Sequence, residues 1–163
     1  MKILITSNFH LLILILTFLI PIQNPENKEF KVITIDEFEV MMNQESEKLR
    51  VFNFWATWCA PCIKEMPYFE KVQQADSSIE LIFISMDDGR NPDRVTNFIE
   101  RKNIIAPVFL LDDVDFNKWI DKVNPEWSGA IPATMFIKPN GERHFIEGEI
   151  EEADLRKLIQ QLN

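Results

Sequence analysis

Cysteine and histidine are scarce in this 163-residue chain, which has two of each. A structural zinc site needs about four ligands, usually from two cysteine pairs or from one pair and two histidines. Here the single pair, Cys59 and Cys62, is accompanied only by His10, inside an apolar run, and His144, in a strand-like segment. That set cannot be completed within one chain. A structural disulfide is also a poor reading, because closing two intervening residues restrains little of the unfolded chain. Basic charge is short as well, with 17 Lys and Arg against 26 Asp and Glu and a formal net charge of −9. No basic stripe reverses this, so phosphate backbones are repelled and nucleic acid is not an expected partner. The acidic surface reads as a solvated one; a partner with a basic face is the weaker alternative. Repeats, low-complexity tracts and haem-binding motifs are absent too, and a composition of 46% hydrophobic and 26% charged residues is that of an ordinary globular protein.

The N-terminus, "MKILITSNFHLLILILTFLIPI", lacks acidic residues, a small-x-small cleavage site and a cysteine for lipid attachment. Lys2 precedes an apolar run, Leu11 to Ile20, interrupted only by Thr17, a length that fits a secretory h-region. Ile3 to Ile22 would form a helix of about 30 Å, just enough to span a bilayer, although Thr6, Ser7, Asn8 and His10 weaken its first half. Residues 1–22 are therefore read as an uncleaved signal anchor, with a cleaved signal peptide as the near alternative and a buried helix as the third. Residues 23–29 form a polar linker, and residues 30–163 are enough for one domain with a real core. On this reading the domain lies outside the cytoplasm, either anchored to the membrane or secreted.

Strand and helix patterns alternate along that domain. "FKVITI" reads as a strand, and Asp36 can cap a short helix through Met42. "LRVFNFWA" is a strand-length run ending at the cysteines. A helix is expected from Ala60 to about Ala75, kinked at Pro67. "IELIFISMD" is apolar enough for a central strand buried on both faces. Asn91, Pro92 and Asp93 start a helix whose buried stripe is Val95, Phe98 and Ile99. "APVFLLD" is another strand. Phe116, Trp119, Ile120 and Val123 mark an amphipathic helix capped near Asp113 or Asp115. "ATMFIKP" and "ERHFIEG" flank Asn140-Gly141, a hairpin signal, and Leu155, Leu158, Ile159 and Leu162 give a last helical stripe. The alternation predicts an α/β domain with a mixed sheet.

The cysteines carry the chemistry. Cys59 follows a strand and stands where a helix begins, so its sulfur would face unpaired N–H groups and the positive end of that helix. Such surroundings bring thiol pKa values to about 3.5–7.5, against about 8.5 for a free thiol. Cys62, nearly one turn later, can attack Cys59 once Cys59 is bonded to a substrate. The pair reads first as a redox pair.

"FWATWCAPC", with Trp58 before the first cysteine and Pro61 between the two, resembles the active site of the thioredoxin superfamily. Pro67 matches that family's helix proline, and "GAIPATMFIKPNGE" its cis-proline segment. The resemblance runs over roughly Phe30 to Asn163 and implies a thioredoxin-like three-layer fold, a central mixed β-sheet flanked by helices. It implies that Pro132 is cis and lies beside the cysteines, that Ile131 offers its backbone to a bound peptide, and that Trp58 and Pro61 contact substrate. Gly148 falls where the family places a glycine after its last strand. Thioredoxins proper have a buried Asp where this chain has Asn53; "NFWATWCxPCxxExP" is instead similar to the membrane-anchored TlpA/ResA-like thiol-disulfide oxidoreductases. That branch has a glutamate where Glu65 stands, and an insertion that Asp87 to Leu111 could hold. Glu65 shares a helix face with Cys62. A carboxyl there would have a raised pKa and could exchange protons with the cysteines, the alternative being a solvated glutamate. Trp55 reads as core, His144 as an ordinary strand residue, and Trp127 either lines the substrate groove or packs.

Together these features predict a reductase of disulfide-containing extracytoplasmic proteins that needs no cofactor beyond the redox-active Cys59–Cys62 pair. By resemblance, its electron donor would be a membrane thiol transporter and apocytochrome c a substrate. Two rivals stay open: a disulfide oxidase or isomerase with the same site, and a non-enzymatic module that binds a metal or a partner through the pair.

Overall fold

The computed structural model describes residues 30–163 apart from 114. The expected N-terminal anchor and linker lie outside these residues. No helix among the described residues is long and apolar enough to cross a membrane. In chain order the elements are β1 (Phe30–Ile33), α1 (Ile35–Asn43), β2 (Leu49–Trp55), α2 (Ala60–Ala75), β3 (Ile79–Ser85), α3 (Asp93–Lys102), β4 (Val108–Leu111), α4 (Phe116–Val123), β5 (Ala133–Ile137), β6 (Arg143–Glu147) and α5 (Glu152–Leu162).

All six strands join one sheet in the order β1-β4-β3-β2-β5-β6. The β1/β4, β4/β3 and β3/β2 pairs are parallel, while β2/β5 and β5/β6 are antiparallel, so the sheet is mixed. Segment Asp87 to Leu111 holds α3 and β4. β2 is buried at every position, as its nearly unbroken apolar sequence requires of a strand covered on both faces. Alternate residues of β2 feed two cores. Leu49, Val51 and Trp55 pack with Met66 and Phe69 of α2, Phe98 of α3 and Leu155 of α5. Phe52 and Phe54 pack with Phe38 of α1 and Trp119 of α4. Helices on both faces of a central sheet give three layers. The β5–β6 hairpin turns through Asn140-Gly141, where Gly141 takes φ +83°, the left-handed region that favours glycine.

Two helix starts differ from expectation. α1 is capped by Thr34, not Asp36, because Thr34 and Glu37 form a reciprocal box: Glu37 N–H donates to Thr34 Oγ1 at 3.3 Å, and Thr34 N–H donates to Glu37 Oε2 at 2.8 Å. α3 begins one residue later than the Asn91 cap predicts, with Pro92 at the N-cap and no side-chain cap bond. Asn91 uses its backbone carbonyl instead, accepting from Arg94 N–H at 3.2 Å. α4 has Asp115 at its N-cap, also without a side-chain cap bond. α2 continues through Pro67, which lies on its exposed side.

The C-terminal end of α1 is held by a buried cation. Arg50 is 6% exposed, and its guanidinium donates to the Met41 and Met42 carbonyls, the latter at 2.9 Å. These bonds satisfy carbonyls that the helix end leaves open and place positive charge at the negative pole of the helix. Replacing Arg50 by Met should preserve the apolar stem but strand those carbonyls, costing about 2 kcal/mol. Urea unfolding checks this as a lower midpoint at unchanged m-value.

Candidate active site

The two cysteines sit where β2 hands the chain to α2. Cys59 is the N-cap of α2 and Cys62 lies in its first turn, with Pro61 between them in the positions that tolerate a missing N–H. The sulfurs are joined as a disulfide. Cys62 N–H points at Cys59 Sγ, 3.4 Å away, so the open end of the helix is directed at that sulfur. Cys59 is 5% exposed and Cys62 is fully buried. Only Cys59 can be approached from outside. Trp58, 63% exposed, and the exposed Pro61 flank it.

The segment before β5 closes the other side. The Ile131–Pro132 peptide bond is cis, and the Ile131 carbonyl oxygen lies 3.8 Å from Cys59 Sγ. Trp127 does not line a groove. It is 3% exposed, packs on Phe54, Trp119 and Phe145, and its indole N–H donates to the Ala130 carbonyl at 2.8 Å. Trp127 thus packs, and the residue it holds adjoins Ile131. Glu147 of β6 grips the same segment by accepting from the Ser128 N–H at 2.9 Å and from the Ser128 hydroxyl. Those bonds hold the Glu147 carboxyl below the usual range. Gly148, at φ +109°, turns the chain back so that its N–H donates to the Pro132 carbonyl at 2.8 Å. His144 is an exposed strand residue.

Below the disulfide lies a buried carboxyl. The buried residues Cys62, Glu65, Met66, Phe69 and Val72 form one stripe of α2, and Glu65 within it is fully buried. Both its oxygens accept hydrogen bonds: Oε1 from Asn53 Nδ2 at 2.8 Å and Oε2 from Ile150 N–H at 2.8 Å. Asn53 Nδ2 also donates to Thr134 Oγ1 at 3.0 Å across the β2/β5 pair, leaving Asn53 Oδ1 buried without a partner. Burial raises the Glu65 pKa to about 7; the bonds from Ile150 and Asn53 oppose the rise, and the charge of Glu149 adds to it. A carboxyl poised there can take up or release a proton near neutral pH. Lys64 pairs with Glu149 at 2.5 Å and Glu151 at 2.8 Å, the two residues flanking Ile150.

Some groups at the site carry no assignment from sequence. The Ile150 N–H reaches Glu65 from 85 positions away, and no local pattern announces such a contact. Asp87 reads from sequence only as the end of a strand, yet it binds Thr57, two residues before Cys59. Its signal was available as an acid closing an otherwise apolar run. Among the described residues, no group of three or more His, Cys, Asp or Glu is placed to hold a metal ion. A groove of about 590 Å³ lies at the opposite end of β2, lined by Arg50, Lys138 and Arg143, and an adjoining one of about 280 Å³ shares Arg50; neither includes a residue of the cysteine site.

Residues 24–143 match the AhpC/TSA family. The chain belongs to the AhpC/TSA family. Within it, the chain is similar to the thiol-disulfide oxidoreductase ResA of Oceanobacillus iheyensis, 34% identical over 110 residues that cover 66% of this chain and 53% of the relative. It is 28% identical over 111 residues to the ResA of Geobacillus kaustophilus, covering 68% and 60% of the two chains. The chain therefore spans little more than half the length of these curated relatives. Among solved structures, a thioredoxin-related protein from Neisseria meningitidis superposes with a TM-score of 0.63 at 26% identity, over 75% of this chain and 89% of that one. The fold is thioredoxin-like, and the expected TlpA/ResA-like branch of the AhpC/TSA family is where these relatives lie.

The raised pKa of Glu65 has a consequence for stability. Between about pH 4.5 and 7 the folded protein holds a proton that the unfolded chain releases, so stability falls as pH rises through that window and levels off above it. The fall is on the order of 3 kcal/mol. Glu65→Gln should flatten it, as measured by urea unfolding at a series of pH values.

Proposed function

We propose that the protein is a thiol-disulfide oxidoreductase that reduces disulfides of other proteins. The observation that carries this reading is the accessibility split across the cysteine pair at the N-terminus of α2, with Cys59 at the surface edge and Cys62 behind it. In the reduced enzyme, the Cys59 thiolate attacks one sulfur of a substrate disulfide, and the other sulfur leaves as a thiolate that takes a proton. Cys62 then attacks Cys59, releasing the second substrate sulfur. Two electrons pass to the substrate, and the enzyme is left with the Cys59–Cys62 disulfide. Trp58, Pro61 and Ile131 form the rim that a substrate chain meets, with the buried cis-Pro132 behind Ile131. Glu65 serves as the proton-exchanging group, since deprotonating Cys62 requires a nearby acceptor that works at neutral pH.

The ResA relatives, named thiol-disulfide oxidoreductases, support the exchange chemistry, and the apolar N-terminal sequence supports a domain outside the cytoplasm, with residues 1–22 as anchor or signal, 23–29 as linker and 30–163 as the catalytic domain. An oxidising compartment would then require a membrane thiol-transfer donor to re-reduce the pair. Apocytochrome c is a substrate of suitable kind.

Purified protein should reduce a synthetic disulfide, Cys59→Ser should abolish the activity, and Cys62→Ser should trap a mixed disulfide through Cys59, detected by mass spectrometry. Its reduction potential should lie nearer the value of about −270 mV seen for reductants than that of about −120 mV for strong oxidants. A value at the oxidant end would convert the reading to an oxidase.

A further inference from the structure

Thr57 stands two residues before Cys59, and a buried carboxylate holds it at both its backbone and its side chain. Asp87, just beyond β3, is 4% exposed. Its Oδ2 accepts from the Thr57 N–H at 2.9 Å and from the Ser85 hydroxyl at 2.9 Å, and its Oδ1 accepts from the Thr57 hydroxyl at 2.6 Å. The Asp87 N–H donates back to Ser85 Oγ at 3.2 Å, and the Met86 N–H to the Trp55 carbonyl at 2.8 Å. The residues just after β3 thereby hold the start of the turn between β2 and α2, at Trp55 and Thr57. The Thr57 N–H must donate to the carboxylate, and both hydroxyls are placed to donate to it as well, so the site supplies the donors that a carboxylate accepts. Among the described residues its partners are neutral, whereas the neighbouring Asp88 is answered by Arg90 at 2.9 Å. Thr57 and Cys59 are two residues apart, so their Cα atoms lie within ~7.6 Å of each other. A negative charge gripping the first opposes a second one forming on the sulfur of the other. It works against the N-terminus of α2, which favours the thiolate.

We propose that Asp87 is a positioning residue of the exchange site. Through Thr57 it fixes the turn that presents Trp58 and Cys59, and its charge disfavours the Cys59 thiolate and so keeps the pair reducing. The inference deepens the reductase reading and rests on it. In the equilibrium between enzyme disulfide plus two glutathiones and enzyme dithiol plus glutathione disulfide, whatever stabilises the thiolate favours the reduced enzyme.

Asp87→Asn separates charge from clamp. The amide oxygen can still accept from the Thr57 N–H and from Ser85, and the amide NH₂ can donate to the Thr57 hydroxyl, reversing that one bond. The expected result is a glutathione equilibrium constant shifted about tenfold toward the reduced enzyme, a rise in potential of about 30 mV. Thr57→Val removes one clamp bond while leaving Asp87 charged. It should slow exchange with a synthetic disulfide several-fold and leave the equilibrium constant within twofold of wild type, with Thr57→Ser restoring the rate. Asp87→Asn and wild-type constants that agree within twofold would overturn the assignment of charge, and an unchanged rate in Thr57→Val would overturn the assignment of position. Wild-type protein that reduces no synthetic disulfide would fail the reductase reading instead, and the potential of Asp87→Asn can be measured in either case.

Discussion

The hydrogen bond from Asn53 to Glu65 joins the middle of the central strand to the second turn of the helix that carries the cysteines, and three parts of the chain meet around it. A carboxyl group taken out of water costs several kcal/mol unless both oxygens are met. Glu65 meets that condition by drawing on three separate parts of the chain. β2 supplies the Asn53 amide, α2 supplies the carboxyl, and the turn before α5 supplies the Ile150 N–H. Bonds to a charged group contribute about 1.5–3 kcal/mol each, close to what desolvation removes. The two protonation states are therefore nearly balanced, and the carboxyl titrates near neutrality because of that balance.

The same requirement ties the buried carboxyl to the cis-proline segment. In the stretch from Gly148 to Glu151, the Gly148 N–H bonds to Pro132 and the Ile150 N–H bonds to Glu65, while Glu149 and Glu151 bracket Lys64. The two ion pairs are largely exposed, and such pairs contribute little. The buried backbone bonds hold this turn in place. Because they bind the cis-proline segment and the glutamate through residues two apart, neither can shift without disturbing the other.

Much of this was legible in the sequence where the information is local. Asn140-Gly141 between two β-rich runs forms the hairpin, the stripe on α5 buries Leu155 and Ile159, and the 62–65–66–69–72 spacing puts Glu65 on the core side of α2. Helix starts were less legible, because several residues near each start can cap. Thr34 prevails over Asp36 because only Thr34 has Glu37 at the right distance to complete the box. Contacts made by folding were not legible at all. Thr134 and Ile150 carry no chemical signature, and they reach the site only because β5 pairs with β2 and because the turn after β6 folds back over α2. Trp127 shows the same limit from the other side. Its closeness in sequence to Pro132 left groove lining and packing equally open, and the aromatic cluster beneath β2 claims it.

The choice of asparagine at position 53 follows from the need to serve both states of Glu65. An aspartate there would bring two carboxyls together about 2.8 Å apart, and only one of them could ionise. An amide has both a donor end and an acceptor end. With Glu65 ionised, the NH₂ of Asn53 serves both Glu65 and Thr134, as in the geometry observed. With Glu65 protonated, rotating the amide by half a turn would bring its unpartnered oxygen to the same place, where it could accept from the acid O–H and from the Thr134 hydroxyl. One amide end stays unbonded in either arrangement, so neither protonation state is strongly preferred over the other. On the proposed role of Glu65, a site that gains and loses a proton in each cycle is better served by this near-degeneracy than by a fully satisfied network, which would fix the carboxyl in one state.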